Sequence, residues 1–142
     1  MKTIIIFFLG FLVNSSLYSQ VTFDSGVTFY SDSSATSLCN GKYKNYYHGH
    51  IIKNSLNFLN GKLNGECNEY YEDGIIKSSK HYIDGFLDGI VVEYYQEINV
   101  MQSKSHYSKG VLDGECILYD QVGEITNKLF YINGVLQKQW TL

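Results

Sequence analysis

The sequence predicts an all-β chain: an elongated, single-layer antiparallel sheet built from about four tandem β-hairpin repeats of 24–25 residues. Three observations carry this. The pattern Gly-x-Leu-(Asn/Asp)-Gly occurs at Gly61 to Gly65, Gly85 to Gly89 and Gly110 to Gly114. Its first glycines lie 24 and 25 residues apart, and a half-copy, Gly134-Val135-Leu136, follows after another 24. A fixed period of this size signals stacked units rather than one globular core. Within each period, strand-forming runs flank a turn such as Glu72-Asp73-Gly74. Asp-Gly between such runs marks a hairpin, because glycine takes the positive φ that matches strand twist. No window shows sustained apolar spacing of three and four residues, and glycine recurs too often for helix interiors.

The amino terminus reads as a separate segment. Met1 and Lys2 form a short positive region, Thr3 to Val13 an apolar run, and Asn14 to Ser19 a polar, small-residue stretch. That order is the layout of a secretory signal peptide over residues 1–19, with a cut near Ser19 or Gln20. The apolar run is about half the ~20 residues needed to span a bilayer, which argues against an anchor. The expected destination is outside the cytoplasm: periplasm, cell surface or medium.

Residues 20–37 are expected to cap the array, with Val27-Thr28-Phe29-Tyr30 as a strand and Ser31 to Ser37 as a polar loop. The repeat array covers 38–136, and residues 137–142, with the only tryptophan, Trp140, form a second cap. The first unit opens on Ser37-Leu38-Cys39-Asn40-Gly41, where the motif has decayed, but alignment places Tyr46-Tyr47 under Tyr70-Tyr71. The third unit replaces the turn glycine with Gln96-Glu97-Ile98-Asn99, and Asn99 is expected to take the left-handed conformation.

Charge and composition exclude some functions. The chain carries 11 Lys+Arg, all of them lysine, against 14 Asp+Glu, for a net charge of −3. Nucleic-acid binding calls for clustered cations, commonly arginine, so it is not expected, and neither is binding to an acidic membrane surface. Cys67 and Cys116 share a column two units apart, a nominal ~19 Å at ~4.8 Å per strand, too far for a disulfide. Free, buried thiols are the expectation for these two and for Cys39.

Equivalent positions of stacked units form columns. Tyr46, Tyr70, Tyr94 and Tyr119 make one; Tyr47, Tyr71 and Tyr95 make its neighbour, ending at Asp120. Adjacent strand positions face opposite sides, so one column is expected inside and the other on an open surface. These seven tyrosines, with the in-register Glu69 and Glu93, are the candidate binding residues. Structural ladders between neighbouring strands are the plainer reading of the same residues. His81 and His106 share another column, but a third fixed ligand is missing, so no metal is expected. His48 and His50 belong at a hairpin tip. No Gly-x-Ser-x-Gly elbow, phosphate-cradling glycine loop or His-Glu-x-x-His is present, so no catalytic residues and no cofactor are assigned and the chain is not expected to be an enzyme.

The recurring Gly-Lys-Leu-Asn-Gly opening, the aromatic pair, Asp-Gly and the closing Tyr-x-(Asp/Asn)-Gly resemble MORN-type repeats over about residues 38 to 136. They resemble most a bacterial variant grouped with antitoxins of toxin-antitoxin systems. The resemblance implies a row of β-hairpins serving as a scaffold for protein contacts, in some members linked to membrane lipids. Three functions follow as expectations. The first is an exported, non-enzymatic module binding an unidentified protein through a tyrosine-rich surface; the others are a glycan or cell-surface polymer binder and an antitoxin-like binding protein. A broad apolar patch would favour protein, and a linear track of open tyrosine with Asn, Asp and Glu would favour glycan.

Overall fold

The computed structural model describes residues 37–141, together with the backbone of three short strands, Ile5–Ile6 (β1), Gln20–Phe23 (β2) and Gly26–Phe29 (β3). These three pair antiparallel, in that order, as a small sheet. The strand expected near Val27 is β3. The signal peptide expected over residues 1–19 falls, β1 aside, outside the described residues, as does most of the loop expected after it.

The main sheet has ten strands: Gly41–Tyr46 (β4), Ile52–Leu59 (β5), Lys62–Leu63 (β6), Gly65–Tyr70 (β7), Ile76–Ile83 (β8), Phe86–Tyr94 (β9), Met101–Ser108 (β10), Val111–Tyr119 (β11), Ile125–Ile132 (β12) and Val135–Thr141 (β13). Each long strand pairs antiparallel with its sequence neighbour, and β6 pairs with β5. β6 and β7 are the two halves of a strand that is continuous in β9 and β11. Among the described residues there is no α-helix; the one helical turn is the 3-10 stretch His48–His50. The expected single-layer row of hairpins is therefore what forms.

Two kinds of turn alternate. Along one edge, Asn60-Gly61, Asp84-Gly85, Lys109-Gly110 and Asn133-Gly134 all have positive φ at both residues, 48–51° at the first and 73–88° at the second. Such two-residue primed turns match the twist of the strands they join. The opposite edge uses longer loops, closed by Tyr71 N–H to Ile75 O at 2.8 Å and its counterparts at Tyr47, Tyr95 and Asp120. Asn99 has φ 50°, as the sequence led one to expect.

Lys109 is the exception among the tight turns, because a lysine gains nothing from the left-handed region that asparagine tolerates. Lys109→Asn is expected to stabilise the protein by about 0.5–1 kcal/mol and raise its melting temperature by a few degrees. A thermal melt followed by circular dichroism would check this; an unchanged or lower midpoint would refute it.

The motif turns stack on one another. The first glycine donates its N–H to the carbonyl of the preceding unit's motif leucine: Gly85 to Leu63 and Gly110 to Leu87 at 2.8 Å, Gly134 to Leu112 at 2.7 Å. Gly61 does the same to Cys39 O at 2.8 Å. At three of the openings the Asn/Asp side chain accepts from the residue before the next glycine: Asn40 Oδ1 from Asn60 N, Asp88 Oδ2 from Lys109 N and Asp113 Oδ1 from Asn133 N. The first opening, decayed by sequence, thus keeps the geometry of the motif, with Cys39 in the leucine place and Asn40 in the Asn/Asp place.

Burial is confined largely to one face. Residues directly opposite one another on adjacent strands share a face, and one such row is Cys67, Lys80, Val91, Ser105, Cys116 and Leu129. Cys67, Val91, Ser105 and Cys116 in it are buried. Beside it, each closing aromatic stands opposite its own unit's second glycine and the next unit's motif leucine: Gly65, Tyr82, Leu87; then Gly89, Tyr107, Leu112. All three cysteines are buried, and Cys67 and Cys116 are free thiols. β-bulges, which bend a strand and increase its twist, interrupt the ladder at several pairings. Between Ser105 and Tyr107 on β10, β11 passes four steps, Cys116 to Leu112, which leaves Asp113 and Gly114 in a bulge.

Candidate binding surfaces

The two tyrosine columns divide between strand and turn. The strands end at Tyr46, Tyr70, Tyr94 and Tyr119, so the second tyrosine of each pair opens the loop instead of alternating across the sheet. Its hydroxyl reaches the next unit: Tyr47 Oη donates to Tyr70 O at 3.1 Å, Tyr71 to Tyr94 O and Tyr95 to Tyr119 O at 2.9 Å. Lys53 and Lys77 lie 5.4 and 6.0 Å from the Tyr47 and Tyr71 ring centroids, within cation–π range. This column is thus a series of inter-unit staples. Asp120 breaks the column and instead closes its own loop by accepting from Val122 N and Glu124 N. In the first column Tyr46 is exposed, while Tyr70, Tyr94 and Tyr119 are half-buried.

Glu69 and Glu93 are brought onto one face, both directly opposite Ser78. Glu69 Oε1 forms an ion pair with Lys77 at 2.9 Å. The hydrogen bond and charge of Glu69 raise the Lys77 ammonium above its ordinary range. Glu93 Oε2 accepts from Ser103 Oγ at 2.9 Å.

The histidine column is a joint. His81 Nδ1 lies 2.8 Å from Asp88 O and His106 Nδ1 2.6 Å from Asp113 O. A carbonyl oxygen only accepts, so Nδ1 carries the proton and Nε2 is left free. Both imidazoles border a shallow, open hollow above Gly89 and Ile90. No group of three or more His, Cys, Asp or Glu among the described residues is arranged to hold a metal ion. His48 and His50 are exposed at their hairpin tip. Burial pushes the Cys67 thiol up, which keeps it protonated and unreactive.

A surface missed in the sequence runs along the tight-turn edge. Ile83 stands opposite Phe86 and Ile132 opposite Val135, with Val111 between these pairs in the array. These five side chains are 42–60% exposed. The stripe is continuous: a Cβ on Gly110 would lie 3.6 Å from the Phe86 ring, and one on Gly134 3.8 Å from Val111. The signal was the apolar residue on each side of the turn, as in Ile83-Asp84-Gly85-Phe86, because residues flanking a two-residue turn are directly opposite and share a face.

A scan against protein-family models finds no match, and a search of curated proteins finds none. Among the described residues no helix is long and apolar enough to cross a membrane.

Proposed function

We propose that this chain is an exported, non-enzymatic repeat module of MORN type that binds a partner protein through the apolar stripe along its tight-turn edge. The observation that carries the reading is the continuous exposure of Ile83, Phe86, Val111, Ile132 and Val135. Contiguous apolar surface on a folded protein commonly marks an interaction site. The reading moves the contact surface away from the tyrosines, whose second column is occupied in stapling units together. Export is supported by the layout of residues 1–19 alone. The repeat type is supported by the motif spacing and the hairpin array it accompanies.

A photo-crosslinking residue in place of Ile83 tests this in the exported chain. It is expected to trap one dominant protein, and Phe86→Ser with Val111→Ser is expected to abolish the adduct. An adduct that persists in the double variant, or none at all, would sink the reading.

A further inference from the structure

A different face carries a second feature. Asn45, Asn54, Glu69, Ser78, Glu93 and Ser103 stand directly opposite one another on six successive strands, β4, β5, β7, β8, β9 and β10. They form one row on the face that also carries Cys67, Val91 and Ser105, one polar group per strand, about 4.8 Å apart. In β11 the row passes to Leu118.

The row has unused hydrogen-bonding capacity. Glu69 engages one oxygen with Lys77, and Glu93 one with Ser103 Oγ. Ser78 between them is 3% exposed, and its Oγ has no partner. A buried hydroxyl without a partner marks a place where water or a ligand group completes the bonding. Tyr82 and Tyr107 lie on the same face; burial first, with Glu69 and Glu93 adding respectively, holds their phenols protonated.

The chemistry narrows the occupant. Glu69 is already neutralised by Lys77, and Lys80 lies in the neighbouring row of the same face, so a cationic peptide would find little net attraction. The same balance leaves no excess of cations to neutralise phosphates, which disfavours nucleic acid. A neutral hydroxyl can donate to a carboxylate and accept from serine or asparagine, so it suits a row that mixes both. The strand spacing is close to the advance of one sugar ring in an extended polysaccharide.

We infer that this row binds a neutral linear polysaccharide laid across the strands, with Glu69 and Glu93 accepting its hydroxyl protons. The inference does not depend on the apolar stripe.

The test titrates the full chain with cellohexaose, xylohexaose and chitohexaose by calorimetry. At least one is expected to bind with a sub-millimolar Kd. Glu93→Gln and, separately, Asn54→Ala, each with an unchanged melting temperature, are expected to weaken that binding about tenfold, the loss of one good hydrogen bond. Phe86→Ser with Val111→Ser is expected to leave it unchanged, which separates this face from the protein-binding one. No binding to any of the three at millimolar concentration overturns the inference. So does equal binding by wild type and both row variants, or binding of hexalysine in place of the sugars.

Discussion

Phe58→Ala is expected to destabilise the protein by about 3–5 kcal/mol, the usual cost of emptying a buried aromatic site. Phe58, 7% exposed, takes in the first unit the place that Tyr82 and Tyr107 take in the next two, opposite both Gly41 and Leu63. Its ring meets Tyr43 edge-on with centroids 5.3 Å apart, so alanine removes an aromatic pair as well as apolar contact. The void would open between the first and second units. In a stack whose units touch mainly their neighbours, that loss stays local. Hydrogen exchange is therefore expected to quicken at the amides of β4 and β5 while β11 and β12 keep their protection. Uniform acceleration across all strands, or a loss below 1 kcal/mol in urea denaturation, would contradict this account.

The fold was legible because its determinants are local and repeated. Asn-Gly and Asp-Gly dictate backbone turns wherever they stand, and a period of 24 residues fixes which side chains become neighbours. Asn99 could be placed in the left-handed region for the same reason. The tyrosine columns were harder. The alternation argument took both tyrosines of each pair as strand residues, yet the ladder stops at Tyr70 and Tyr94, and what holds Tyr71 is a bond to a carbonyl 23 residues away. Such a contact depends on how far one unit is rotated against the next, which no window of sequence encodes. The first unit shows the converse. Its opening looked degraded because the leucine is Cys39, but the stacking bonds run through the Cys39 carbonyl and the short Asn40 amide, and both survive. The missing partner of Ser78 was invisible for a similar reason: it follows from the positions of Glu69 and Glu93 in neighbouring units.

Gly114→Ala is expected to cost about 2–3 kcal/mol, because it combines two penalties that can be measured separately. Gly114 has φ +119°, a conformation side chains rarely adopt, and an added Cβ would lie 3.2 Å from His106 Cβ and 3.4 Å from its ring atoms. The ring cannot simply swing away, since His106 Nδ1 is held to Asp113 O across the bulge. Gly41 provides the comparison: φ is +90°, but nothing lies within 4 Å of an added Cβ. Gly41→Ala should therefore show the backbone strain alone, about 1–2 kcal/mol, and the excess at Gly114 should report the imidazole contact. Adding His106→Ala to Gly114→Ala should recover that excess without restoring wild-type stability, a coupling that a double-mutant cycle reads directly. Equal costs at the two glycines would mean that the bulge is held by backbone preference and that His106 only fills space beside it. An excess that His106→Ala relieves would instead show the histidine column pressing against the bulges that interrupt the ladder beside it.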